Sequence, residues 1–91
     1  MAEYLVELYI SRRDGGAVES SAAKARLAPE ELTLEGTPVR YLHSIFVPED
    51  ETCFFLYQAI SADDVREAAR RAALPFERTS EAVAESKGVE R

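Results

Sequence analysis

Pro38-Val39-Arg40-Tyr41-Leu42-His43-Ser44-Ile45-Phe46-Val47-Pro48-Glu49-Asp50-Glu51-Thr52-Cys53-Phe54-Phe55-Leu56-Tyr57-Gln58 is the stretch on which the fold turns. Two runs rich in β-branched and aromatic residues flank Pro48 to Glu51, a short, polar, proline-led connection. That composition predicts two strands joined by a tight antiparallel hairpin. If the turn pairs Val47 with Thr52, one face of the hairpin collects Tyr41, His43, Ile45, Phe54 and Leu56. Leu42, Phe46, Cys53, Phe55 and Tyr57 take the opposite face, because successive strand residues alternate sides. Both faces are too apolar for water. Helices cover only one face of such a sheet, so the other is predicted to pack against a second copy of the chain.

Upstream, Glu3 to Ile10 alternates Tyr4, Val6, Leu8 and Ile10 with Leu5, Glu7 and Tyr9, which predicts a strand with one wholly apolar face and one mixed face. Arg12-Arg13-Asp14-Gly15-Gly16 reads as a loop, and the Ala-rich stretch Ala17 to Leu27 reads as a helix. Pro29 is expected to kink that helix or to begin a second short turn through Glu30-Glu31-Leu32, since proline lacks the backbone donor a helix interior needs. Gly36 closes the segment. Downstream, Ser61-Ala62-Asp63-Asp64 carries a helix start, with Ser61 placed to accept a first-turn amide and both acids near the positive helix end. Val65, Ala68, Ala69 and Ala72 recur at helical spacing, while Arg66, Glu67, Arg70 and Arg71 form a solvated face on which Glu67 can pair with Arg71. Leu74-Pro75 ends this helix and Glu77 to Val83 gives a final strand. The order strand, helix, strand, strand, helix, strand predicts an α+β, ferredoxin-like βαββαβ fold, a four-stranded antiparallel sheet with two helices on one face. One domain over residues 1–84 is expected, followed by a charged, frayed tail at 85–91.

With 91 residues, 46% hydrophobic and 31% charged, the chain has the composition of one globular core. A net charge of −6 repels phosphate backbones, and no basic stripe with interleaved aromatics is present, so nucleic acid is not an expected partner. No apolar run is long enough to span a membrane, and Met1-Ala2-Glu3-Tyr4 lacks the features of a secretion signal. A cytoplasmic location and no membrane partner are expected. The single Cys53 excludes an intrachain disulfide and reads first as a small buried hydrophobe.

From His43-Ser44-Ile45-Phe46-Val47-Pro48 through Thr52-Cys53-Phe54, Ala59-Ile60-Ser61-Ala62-Asp63-Asp64-Val65 and Leu74-Pro75-Phe76, the chain resembles the small nickel-binding, ferredoxin-like bacterial proteins. Many relatives of that family are catalogued only as a domain of unknown function. The likeness extends from Tyr4-Leu5-Val6-Glu7 through Gly36-Thr37-Pro38-Val39-Arg40-Tyr41 to Glu81-Ala82-Val83. It implies a homodimer whose two sheets form an α+β barrel, with nickel or a related divalent ion as ligand. Phe55 stands where a further cysteine is frequent in that family, and the Arg12 to Gly16 loop replaces a Pro-Gly turn.

His43 is the only histidine, and a neutral imidazole suits nickel and copper. In the register above it shares a sheet face with Glu7 and Tyr9, so an imidazole, a carboxylate and a phenol can converge inside a dimer. Glu7, between Val6 and Leu8 on a central strand, must be ion-paired, metal-bound or facing a wet cavity. The expected metal ligands are His43 and Glu7, with Glu81 and Cys53 as additions; Cys53 lies on the opposite face and joins His43 only through a bulge or a different turn. The competing readings are a histidine satisfied by a hydrogen bond to Glu7 or a tyrosine, and a carboxylate that is paired for structure. No nucleophile, base and orienter set is visible and no phosphate-cradling loop. A metal- or small-ligand-binding homodimer is therefore preferred over an interaction or regulatory module. A barrel enzyme of the oxygenase type, using His43 and Glu7 as acid and base, rests on fold analogy alone.

Overall fold

The computed structural model describes residues 1–83; the expected tail at 85–91 lies outside the described residues. Along β1 (Ala2–Tyr9) the buried residues are Tyr4, Val6 and Leu8, every second position, as the alternation of a half-covered strand requires. The chain continues as α1 (Ala17–Leu34), β2 (Val39–Val47), β3 (Thr52–Ala59), α2 (Ala62–Arg71) and β4 (Phe76–Ala82). The strands form one sheet in the order β2-β3-β1-β4, and every neighbouring pair is antiparallel. This is the ferredoxin-like arrangement. Val47 pairs with Thr52 across a turn of one short 3₁₀ segment, Pro48–Asp50, closed by Glu51 in the left-handed region at φ 50°. Glu51 also accepts the main-chain amides of Ile10, through its carbonyl, and of Arg12, through its carboxylate, each at 3.0 Å.

The core lies between the helices and one sheet face. Val6, Cys53, Phe55, Tyr57 and Ala59 from the sheet meet Ala25 of α1 and Val65, Ala68 and Ala69 of α2, all of them fully buried. Alanine at these helical positions lets the helix backbones approach the aromatic layer closely, and the area removed from water is the main stabilising term. α2 starts as its sequence indicates: the Ser61 hydroxyl accepts the Asp64 amide at 3.3 Å.

Two sequence expectations are corrected by the coordinates. Tyr41 does not join His43 on one face. The β2–β3 register slips between Tyr41 and His43, leaving Leu42 as an extra residue, so Tyr41 pairs with Tyr57 on the helix side while His43 pairs with Leu56 on the other. The Tyr41 ring packs edge-on to Tyr57 at 5.8 Å and against Phe55 at 6.2 Å. Of the two outcomes expected at Pro29, the second short turn does not form: α1 continues through the proline to Leu34. Proline at 29 removes the amide that would bond the Ala25 carbonyl four residues back. The buried Tyr57 hydroxyl donates to that carbonyl at 3.2 Å, so the orphan acceptor is satisfied from the sheet.

Both helices end in the same double hydrogen-bond motif. At α1 the amides of Gly36 and Thr37 reach the carbonyls of Thr33 and Leu32, with Gly36 at φ 100°; at α2 those of Ala73 and Leu74 reach Arg70 and Ala69, with Ala73 at φ 56°. The left-handed position suits glycine and strains an L side chain. Ala73→Gly is therefore expected to raise stability, by about 0.5–1 kcal/mol, readable as a rightward shift of the urea midpoint at unchanged slope. A midpoint that moves left would show that Ala73 is not strained.

Candidate metal-binding face

The uncovered sheet face is built in rows by the pairing register. Ile45, Phe54, Glu7 and Arg78 form one row across β2, β3, β1 and β4, and His43, Leu56, Leu5 and Ser80 form the next. Val47, Thr52 and Tyr9 lie in the row beyond the first, and Arg40, Gln58, Glu3 and Ala82 on the other side. Leu5, Phe54 and Leu56 are only partly buried, while Ile45 is 49% and Tyr9 55% exposed. His43 is exposed on the edge strand at the border of this apolar field.

The face brings His43, Glu7 and Tyr9 to one side of the sheet. It does not bring them into contact within one protomer, because β3, with Leu56 and Phe54, stands between β2 and β1. Glu7 is held instead by Arg78, its direct cross-strand partner, whose Nε donates to Oε1 at 3.1 Å. That pairing accounts for a carboxylate between two buried residues on a central strand. Arg78 escaped the sequence reading because a bulge at Glu77, between the Glu7–Arg78 and Leu8–Phe76 pairs, sets the β4 register. Glu81 pairs with Tyr4, so it belongs to the helix side of the edge strand, away from Glu7. Cys53 is fully buried in the core on that same side, and burial pushes its thiol up from the ordinary value. Among the described residues no three His, Cys, Asp or Glu side chains gather as a metal cluster.

On α2 several charges pair with one another or with the end of α1. Arg71 of α2 makes a forked contact to Glu35 at 2.7 and 2.8 Å and reaches Glu67 at 3.2 Å. The hydrogen bonds from Arg71 to Glu35, and from Arg70 and then Arg71 to Glu67, hold both carboxyls below their usual range. No helix of the described residues is long and apolar enough to cross a membrane.

A two-layer ferredoxin-like domain with an uncovered apolar sheet face and one exposed histidine at its edge is the class of protein that these observations define. Residues 8–81, well over half of the chain, match the family described as nickel responsive protein SCO4226-like, and the chain belongs to that family. The crystal structure of SCO4226 from Streptomyces coelicolor A3(2) shares the fold, with a TM-score of 0.66 and 14% sequence identity over 92% of this chain and 99% of that one. No curated protein sequence matches the chain.

Proposed function

We propose that this protein is a divalent-metal-binding, nickel-responsive protein of the cytoplasm that acts as a homodimer joined through the open sheet faces. The observation that carries this reading is the exposed His43 on the border of an uncovered apolar face. The family's description supplies the metal, and imidazole suits nickel, which also accepts carboxylate oxygen. One protomer offers His43 alone at the edge and Glu7 engaged with Arg78, so a sufficient ligand set is completed by the second copy, whose symmetry brings a duplicate histidine and carboxylate to the same interface. Glu7 joins the metal by exchanging its Arg78 contact. Glu81 and Cys53 lie on the helix side of the sheet and have no part in this assembly.

Calorimetric titration of nickel into the tag-free protein tests the reading. His43→Ala is expected to weaken binding by about 10-fold or more, since even groups that merely orient a metal's ligands contribute 10–100-fold. Glu7→Gln is expected to have a smaller effect because the carboxylate first has to leave Arg78. Circular dichroism identical to wild type certifies the fold of both variants. Nickel affinity unchanged in His43→Ala overturns the assignment.

A further inference from the structure

The loop between β1 and α1 stands outside both the sheet face and the helix layer, and Arg12 to Gly16 are all exposed. It holds the chain's single Asp-Gly sequence, Asp14-Gly15; the other aspartates are Asp50, Asp63 and Asp64, and the chain has no asparagine. The chemistry of such a pair depends on whether the aspartyl carboxyl reaches the next main-chain nitrogen. Glycine permits that approach, because it has no Cβ to obstruct it and few restrictions on its backbone.

Three features open the approach at Asp14. First, the hydrogen bonds that hold the loop pass over Gly15. The Arg12 amide donates to the Glu51 carboxylate at 3.0 Å, the Arg13 amide to the Ser11 hydroxyl at 3.2 Å, the Asp14 amide to the Ser11 carbonyl at 3.0 Å and the Ala17 amide to the Asp14 carbonyl at 3.1 Å. Among the described residues the Gly15 nitrogen has no such partner. Second, the Asp14 carboxylate has neither an ion-pair nor a hydrogen-bond partner among the described residues. It borders a surface hollow with Tyr9, Ile10, Ala17 and Pro75, so it is free to change rotamer. Third, a Cβ placed on Gly15 would meet nothing within 4 Å, so no neighbouring group confines the nitrogen. The other aspartates are held differently. The amide after Asp50 donates to the Pro48 carbonyl at 3.1 Å, and the amide after Asp63 to the Ser61 hydroxyl at 3.3 Å. Asp64 and Val65 lie within α2, where the helical backbone fixes ψ.

We propose that Asp14-Gly15 is a site of spontaneous aspartyl isomerisation. The Gly15 nitrogen attacks Cγ of the protonated Asp14 carboxyl. The N–Cγ bond forms, the nitrogen gives up its proton, and the Cγ–OH bond breaks with release of water. Water then opens the cyclic imide at either carbonyl. Opening at Cγ restores aspartate, whereas opening at the main-chain carbonyl carbon leaves an isoaspartyl link in which the chain runs through Cβ and Cγ. No atom is gained or lost overall. The oxygen that accepted the Ala17 amide then belongs to a pendant carboxylate on a lengthened chain, so the turn leading into α1 loosens. No side-chain cap at Gly16 stands in for it. The change is confined to the start of α1 and is independent of metal binding and of the dimer contact.

The test is storage of the folded protein at neutral pH with timed sampling. Isoaspartate is counted by methyl transfer from labelled S-adenosylmethionine with L-isoaspartyl methyltransferase, and located by resistance to endoproteinase Asp-N ahead of residue 14. Methyl acceptance is expected to rise steadily at residue 14 alone, at a rate comparable with that of the urea-unfolded protein. Asp14→Glu is expected to abolish it, because the longer side chain disfavours ring closure, and Gly15→Ala to slow it severalfold through the added Cβ. The exposure of Asp14 and the open space around Gly15 keep both variants folded. In ¹⁵N-correlation spectra of aged protein, second peaks are expected for Ala17 and for Ser20, whose amide bonds the Gly16 carbonyl, and none for Val6 or Phe55. A folded protein that acquires no methyl acceptance, isoaspartate at Asp50, Asp63 or Asp64 instead, or an undiminished rate in Gly15→Ala would each overturn the proposal.

Discussion

Phe54→Lys is expected to convert the protein to a monomer at tens of micromolar while leaving its fold intact. Phe54 lies between Ile45 and Glu7 in the middle of the open face, on the side of β3 away from the helices, so its replacement removes no core contact. In a two-fold interface every substitution appears twice. Each lysine would have to leave water against Leu5, Ile45 and Leu56 without a partner, and an uncompensated buried charge costs on the order of 4 kcal/mol, or roughly 1000-fold in dissociation constant. Sedimentation velocity reads the result directly. Ala23→Lys, on the exposed side of α1, is the matched control and is expected to leave the mass unchanged. A dimer that survives Phe54→Lys, or wild-type protein that sediments as a monomer, would remove the open face as the site of assembly.

Tyr57→Phe is expected to destabilise the fold by about 1–3 kcal/mol, the cost of leaving one buried acceptor without a donor. The substitution leaves the ring in place against Tyr41 and deletes only the hydroxyl that serves the Ala25 carbonyl. Burial first, and the neighbouring Tyr41 second, push the Tyr57 phenol far above its ordinary range, so it remains a donor throughout the working pH range. A double-mutant cycle isolates the claim. Pro29→Ala restores a main-chain amide to Ala25, so Tyr57→Phe should cost distinctly less in that background than in the wild type. Equal costs in both backgrounds would mean that the phenol is not answering for the proline.

Much of this architecture is legible from residue order. The hairpin could be read because Val47 and Thr52 bracket a turn too short to allow another register, and α2 because Ser61 and the Val65, Ala68, Ala69 pattern agree on one start and one buried side. What escaped reading is long-range in origin. The carbonyl that Pro29 leaves unserved, that of Ala25, accepts from a hydroxyl 32 residues further along the chain on another strand, and nothing within α1 announces it. The side taken by Tyr41 depends on a bulge whose extra residue, Leu42, is as apolar as its neighbours, so hydrophobic pattern cannot mark it. For the candidate site, the shared face of His43 and Glu7 follows from alternation along two strands. The partner of Glu7 does not, because Arg78 meets it only through the bulged register between the first and last strands.

The pairing of β1 with β4 has a consequence for synthesis. Every other strand contact of β1 is available once β3 has emerged from the ribosome, but its second edge is satisfied by residues as late as Ala82, opposite Glu3. At about 5–20 residues per second, the chain spends seconds with a flat, apolar strand edge open to other nascent chains. Closure of the sheet joins the two most distant strands in the sequence, the slowest kind of contact to form. Until the last strand pairs, the free edge of β1 is the part of this small domain most open to wrong partners, and β4 is its safeguard.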